Sequence, residues 1–250
     1  AEIIDRAATL VEKWIDLDQV INLGRKAGPL PTVSPLAFER GRPVKVAVAR
    51  DESFSFYYRG ALELLAGLGA ELQHFSPLRS DRLPENVDGL YLGGGFPEVF
   101  ARSLAANKGL REDIRINLEK GLPCYAECGG FMYLTECIIA KNGEKHPMVG
   151  FFDGHTAMTD RLQRFGYVNI EFTGENVLGK EGQAAKGHEF HHSIVEGITY
   201  PATYLVKSAF SGRQWDCGYR RANTLAAYAH IDFWGYPDLA HHFLDVCRGL

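Results

Sequence analysis

A chain of 250 residues with 46% hydrophobic and 23% charged side chains has the make-up of a soluble globular protein, long enough for one full-sized domain with additions or for two small ones. A formal net charge of -4 and a pI near 6.2 leave no basic excess for nucleic acid or anionic lipid. No apolar run approaches the roughly 18–20 residues that a bilayer demands, the N-terminus lacks a signal-peptide layout, and five cysteines without a CxxC pair point to a reducing cytoplasm rather than a disulfide framework or zinc cage.

In chain order, residues 3–15 place Ile3, Ile4, Ala7, Ala8, Leu10, Val11, Trp14 and Ile15 at spacings of three and four, which predicts an amphipathic helix. Asp16 is placed to cap a second short helix ending near Gly28. Pro29, Pro31, Pro35 and Pro43 then mark residues 28–43 as an extended linker. An apolar stripe so near a chain end needs a partner surface, so residues 1–27 read as the tail of a preceding domain; the first residue, Ala rather than Met, fits a fragment or processed chain.

Beyond the linker, strand and helix alternate. Residues 44–49 form a continuous apolar run suited to a strand covered on both faces. A helix follows over 57–68, then strands over 71–75 and 89–92, helices over 98–106 and 109–120, and a fourth strand over 122–126. Such alternation implies right-handed crossovers and a parallel sheet. From Met148 onward the pattern is richer in strands and less regular, with a late strand over 224–229 and a last helix opened by Pro237.

Three stretches carry chemistry. In Leu122-Pro123-Cys124-Tyr125-Ala126-Glu127-Cys128-Gly129-Gly130 an apolar strand runs straight into a cysteine, two glycines and a helix-like segment. That is the layout of a nucleophile elbow, where a strained strand-to-helix turn exposes one side chain. The helix N-terminus favours the Cys128 thiolate, and the Gly129 N–H would face the oxyanion formed on attack. Cys124 and Cys137 lack flanking glycines and read as structural. The glycine run Gly93-Gly94-Gly95 follows a strand and is not a GxxxxGK[ST] loop, a motif found nowhere in the chain; Gly94 and Gly95 are candidates for substrate binding and a second oxyanion donor. His230, at the end of the late strand, is placed to meet the elbow as general base, with Asp232 two residues on as its orienting carboxylate. His188-Glu189-Phe190-His191-His192 is not a His-Glu-x-x-His motif; on a strand His188 and His192 would share one face and His191 the other, which favours hydrogen-bonding or substrate-side roles over metal binding.

Taken together, residues 44–248 resemble the C-terminal glutamine amidotransferase domain of cobyrinic acid a,c-diamide synthases. The resemblance rests on Val46-Ala47-Val48-Ala49-Arg50-Asp51, Phe54-Ser55-Phe56-Tyr57-Tyr58, Phe75-Ser76-Pro77-Leu78, Tyr91-Leu92-Gly93-Gly94-Gly95-Phe96-Pro97-Glu98, Tyr125-Ala126-Glu127-Cys128-Gly129-Gly130-Phe131-Met132-Tyr133-Leu134, Met158-Thr159-Asp160-Arg161-Leu162-Gln163 and Gly187-His188-Glu189-Phe190-His191. So many stretches in the same order are more specific than any one motif.

The resemblance implies an α/β, class I glutamine amidotransferase-like (flavodoxin-like) fold, a mostly parallel sheet with helices on both faces and an N-terminal helical tail. The expected division is a synthetase tail over 1–27, the linker over 28–43 and the amidotransferase domain over 44–250. It implies a glutaminase with Cys128 as nucleophile and His230 as base, releasing ammonia through a glutamyl thioester for amidation of the a and c carboxylates of cobyrinate. L-glutamine is then the substrate, and the N-terminal synthetase domain the partner that binds cobyrinate, ATP and Mg²⁺; no cofactor or metal is expected in this chain, and a homodimer is left open. The strict class I triad carries a Glu two residues after its His where this chain has Asp232, which leaves the third member in doubt. Hydrogenobyrinate or nickel-sirohydrochlorin as acceptor, and a non-catalytic scaffold, are the competing readings.

Overall fold

The computed structural model describes residues 2–30 and 41–250, so residues 31–40 of the expected linker lie outside the described residues. The chain divides into two compact units, Ala1–Ala37 and Phe38–Leu250. In the first, α1 (Glu2–Trp14) and α2 (Leu17–Lys26) form where the apolar spacing predicts, and the Asp16 carboxylate accepts the Gln19 N–H as the N-cap of α2. Neither helix buries a residue, and Ile3, Ile4, Leu10, Trp14 and Leu23 are all exposed.

The second unit is built on a ten-stranded sheet. Its parallel half uses β1 (Val44–Ala49), β2 (Ala70–Phe75), β3 (Gly89–Leu92) and β4 (Cys124–Glu127), joined by α3 (Arg59–Gly67), α4 (Ala101–Ala106) and α5 (Lys108–Glu119). Of these, β1, β3 and β4 are buried on both faces, as continuous apolar runs must be, whereas β2 lies at the edge of the sheet with exposed positions. The helix expected from residue 57 starts at Arg59, because Tyr57 and Tyr58 hold the loop down instead: the Tyr57 hydroxyl donates to the Ala49 carbonyl and accepts the Gly93 N–H at 2.9 Å. The segment 98–100, read as helix, is a turn ahead of α4.

After the short helix α6 (Gly129–Leu134), the chain makes β5 (Cys137–Ile139), β6 (Lys145–Pro147), β7 (His155–Met158), β8 (Arg164–Phe172), β9 (Ala184–His191), β10 (Ser193–Glu196), β11 (Ala202–Ser208), β12 (Gln214–Arg221), β13 (Thr224–Ala227) and β14 (His230–Ile231). A 3-10 turn, Phe233–Gly235, and α7 (Pro237–Arg248) close the unit. The large sheet runs β14-β9-β8-β11-β12-β13-β4-β3-β1-β2, and β10-β7-β5-β6 form a second sheet. Pairing is parallel from β2 through β13 and antiparallel from β13 to β14. The sheet is therefore mixed, with helices on both faces; the parallel half lies where strand and helix alternate in sequence, and the antiparallel half is the strand-rich stretch after Met148.

One local difference matters for the site. The late strand predicted over 224–229 ends at Ala227, and His230 lies on its own two-residue strand, β14, paired antiparallel with β9 in the register His230 opposite His188. Gly187 permits this pairing, since a Cβ there would lie 2.4 Å from the His230 carbonyl oxygen.

Candidate active site

The strand β4 delivers Cys128 into a turn with φ 46° and ψ -99°, a left-handed excursion that a non-glycine residue adopts at a cost of about 1–3 kcal/mol. The turn is clamped from behind: the Cys128 N–H donates to the Ala227 carbonyl at 2.7 Å and the Gly130 N–H to the Gly93 carbonyl at 3.0 Å. Gly130 has to be glycine, because a Cβ would lie 2.2 Å from the Leu92 carbonyl oxygen. The elbow expected from the sequence is thus formed, with Cys128 7% exposed at the first turn of α6.

The glycine run after β3 packs directly on this elbow. A Cβ on Gly129 would lie 3.0 Å from the Gly95 nitrogen, so the two backbones touch. No acceptor among the described residues takes the N–H of either Gly95 or Gly129, and both stand beside the thiol, where an oxyanion would form. Gly94 behaves differently from the substrate-binding role read for it. Its N–H donates to the Phe56 carbonyl at 3.1 Å, and its bare Cα makes room for the imidazole, since a Cβ would sit 2.5 Å from His230 Cε1.

His230 is buried against Cys128 and Glu127. Its Nδ1 lies 3.5 Å from Glu127 Oε2, long for a hydrogen bond and within ion-pair range. Burial alone would push the imidazole down, but hydrogen bonding and charge from Cys128 and Glu127 outweigh it and raise His230 to about 10. Burial likewise opposes ionisation of Glu127, yet the facing imidazole, the Tyr125 hydroxyl and the Ile231 N–H hold its carboxyl below the usual range. The partners of that carboxylate are fixed: Tyr125 donates at 2.6 Å, Tyr91 at 3.0 Å and the Ile231 amide at 3.1 Å. The Tyr91 and Tyr125 rings stack on each other, with Phe233 tilted against both.

Asp232 is not the residue that faces His230 Nδ1. Its side chain is exposed and accepts the Trp234 N–H at 3.1 Å as the cap of the 3-10 turn. The expectation of an acid two residues after the histidine fails because β14 ends at Ile231 and turns the next side chain outward; the acid that meets the imidazole comes from β4, one residue before the nucleophile. Sequence reasoning passed over Glu127, although a glutamate at the end of a strand otherwise apolar and buried on both faces was itself a signal.

Further side chains complete the wall. His188 stacks on His230 with ring centroids 4.9 Å apart, its Nδ1 2.7 Å from the Tyr58 hydroxyl. Burial, then the charge of His230, lower its pKa, which keeps it neutral beside the imidazolium. Phe56 contacts both imidazoles edge-on. On the opposite face of β9, as alternation requires, His191 stacks flat on Tyr228 at 3.8 Å and its Nδ1 meets the Ser193 carbonyl at 2.8 Å. His192 has left the strand, so the shared face expected with His188 does not exist. Among the described residues no group of three His, Cys, Asp or Glu side chains is placed to hold a metal ion.

Comparison with known proteins shows which family the chain resembles. Residues 45–237 match the model of the CobB/CobQ-like glutamine amidotransferase domain. The chain is 44% identical over 244 residues to a cobyrinate a,c-diamide synthase of Caldanaerobacter subterraneus subsp. tengcongensis, covering 95% of this chain and 52% of that protein. It is 43% identical to one of Clostridium tetani, with 98% and 55% covered. It spans about half the length of these curated relatives. A solved structure described as a glutamine amidotransferase superposes with a TM-score of 0.59 at 20% identity, over 82% of this chain and 99% of that one, a likeness of fold.

Proposed function

This chain belongs to the CobB/CobQ-like glutamine amidotransferase family, and from that premise we propose that it is the glutaminase part of a cobyrinate a,c-diamide synthase, with Cys128 as nucleophile. The observation that carries the reading is one juxtaposition: a thiol on a strained elbow, a buried imidazole paired with a carboxylate, and two unengaged backbone N–H groups around one cleft.

The chemistry follows from those positions. The Cys128 thiolate adds to the side-chain amide carbon of glutamine, and the Gly95 and Gly129 N–H groups take the oxyanion. The imidazolium of His230 gives its proton to the departing nitrogen, so that ammonia leaves and a γ-glutamyl thioester remains. The neutral imidazole then draws a proton from water, which attacks the thioester, and glutamate departs as the thiolate returns. Glu127 acts through His230: it fixes the ring by Nδ1 and favours the charged form that the first step consumes. Asp232 takes no part.

The ammonia is consumed in a half of the protein outside this chain, where ATP and Mg²⁺ activate the a and c carboxylates of cobyrinate. The matched relatives are named for that activity and are about twice as long as the matched region. Residues 1–27 are assigned to the end of that half, 28–43 to a linker and 44–250 to the glutaminase. The steps assigned to this chain use its own thiol, imidazole, carboxylate and backbone N–H groups, and the ATP and Mg²⁺ chemistry is assigned to that other half. The reaction is assigned to the cytoplasm, in keeping with cysteines that are all free.

The test uses the full-length protein. Cys128→Ala should abolish ammonia release from glutamine and glutamine-dependent amidation while amidation from added ammonium continues. Glutamine hydrolysis at the wild-type rate in that variant would overturn the assignment.

A further inference from the structure

The cleft around Cys128 has two lobes that share Gly95, Phe96, Cys128 and Phe190. One, about 70 Å³, is completed by Phe56, His188 and His230. The other, about 60 Å³, is completed by Glu98, Met132, Met158, His191, His192 and Ser193. The direction of the reaction decides which end of the substrate lies in which lobe. The departing amide nitrogen must face the imidazole that protonates it, so it occupies the His230 lobe. The carbon chain leaves the same carbonyl carbon on another bond, and the amino acid head group is thereby directed into the second lobe.

That lobe holds one carboxylate without a counter-ion. Glu98 has its own backbone N–H as a hydrogen-bond partner but forms no ion pair with any described residue, and it is half-buried. Burial pushes its carboxyl up from the ordinary value, the mark of an acid lacking a cation. Its position is rigid. Pro97, its neighbour, packs 3.0 Å from where a Gly129 Cβ would stand, and the Phe96 N–H donates to the Ser53 carbonyl at 3.0 Å. The turn that offers the Gly95 N–H to the oxyanion is therefore the turn that carries Glu98.

We propose that Glu98 receives the α-ammonium group of glutamine and so restricts the site to free α-amino acids. The inference rests on the glutaminase reading above and deepens it. An ammonium placed there gains a charge-assisted bond to an anion already desolvated, whereas a substrate lacking it leaves the carboxylate without a counter-ion. Glutaramate, which is glutamine without its amino group, should accordingly be a poor substrate. Its amide still reaches Cys128, but nothing fills the place of the ammonium.

The experiment compares L-glutamine and glutaramate with full-length wild-type protein and Glu98→Gln. The wild type is expected to prefer glutamine. In Glu98→Gln the KM for glutamine should rise roughly 10- to 100-fold, with the loss falling on KM rather than kcat, while glutaramate is handled as before and the preference collapses. Alkylation of Cys128 by iodoacetamide, which needs no head-group contact, should proceed at the wild-type rate and shows the elbow intact. An unchanged KM for glutamine in Glu98→Gln, or a loss shared equally by both substrates, would overturn this inference and leave the glutaminase reading standing. A wild type that hydrolyses neither substrate would instead remove the reading beneath it.

Discussion

Replacing Glu127 by glutamine tests the pairing on which the catalytic reading depends. The substitution keeps the shape and, with its oxygen in the Oε1 place, the acceptor for Tyr125 and the Ile231 amide, but it puts an NH₂ before Tyr91 and removes the charge facing His230 Nδ1 at 3.5 Å. Two full charges at that separation, in a medium of effective dielectric constant about 20, attract by about 5 kcal/mol. At 1.36 kcal/mol per unit this is roughly 3.5 pKa units. His230, raised to about 10 in the native protein, should then fall to roughly 6.5. Titration of isotopically labelled histidine by NMR reads the shift directly. Kinetically, the imidazolium that protonates the departing nitrogen would be lost about 3.5 pH units earlier, moving the alkaline limb of glutaminase activity towards neutrality. The amide can also present its NH₂ to Nδ1 and select the wrong tautomer, so turnover at the optimum should drop by roughly 100- to 1,000-fold. A Glu127→Gln enzyme with wild-type turnover and an unmoved alkaline limb would refute the reasoning.

Other outcomes follow from the same contacts. Asp232→Asn should alter glutaminase turnover less than about threefold, and Asp232→Ala should cost about 1 kcal/mol of stability in thermal unfolding through loss of the turn cap; a turnover loss as large as that of His230→Ala would restore Asp232 to the site. Gly94→Ala should fold yet lose roughly 100-fold or more in activity, because its methyl group would stand 2.5 Å from His230 Cε1; a crystal structure of the variant should show the ring displaced. The pH dependence of stability has a fixed sign. His230 is raised, so its contribution is complete below about 6.5 and is lost as pH rises towards about 10. Glu127 is lowered, so its contribution is present above about 4.5 and is lost as pH falls through its depressed value. The difference in melting temperature between wild type and Glu127→Gln should thus be greatest between those two limits and shrink on either side, and a pH-independent difference would contradict the ion pair.

Much of the fold was legible because the physics is local. The apolar runs at Val44–Ala49 and Gly89–Leu92 can hide only in the middle of a sheet, and the glycines around Cys128 have no other use than a tight turn. The amphipathic helices of the first unit and their Asp16 cap were equally plain. What escaped was set by pairing between distant strands. His230 reads as the end of a long strand until β9 draws β14 away from β13, and nothing near residue 230 announces that Gly187 makes room for it. The orienting acid was sought by spacing at Asp232, whereas parallel pairing of β4 with β13 brings Glu127 into reach across 103 positions of sequence. The antiparallel extension was visible only as strand-rich sequence, because alternating strands such as β8 carry no label for their partners.

Cys128 and its imidazole neighbour His230 line one cleft. The most direct measurement treats the full-length protein with a diazoketone analogue of glutamine and locates the adduct by peptide mass spectrometry. The expected result is a single label on Cys128, none on the more exposed Cys137, protection by glutamine, and a rate at least tenfold lower in His230→Ala. Labelling spread over the cysteines, or labelling of Cys128 at an unchanged rate when His230 is removed, would contradict it.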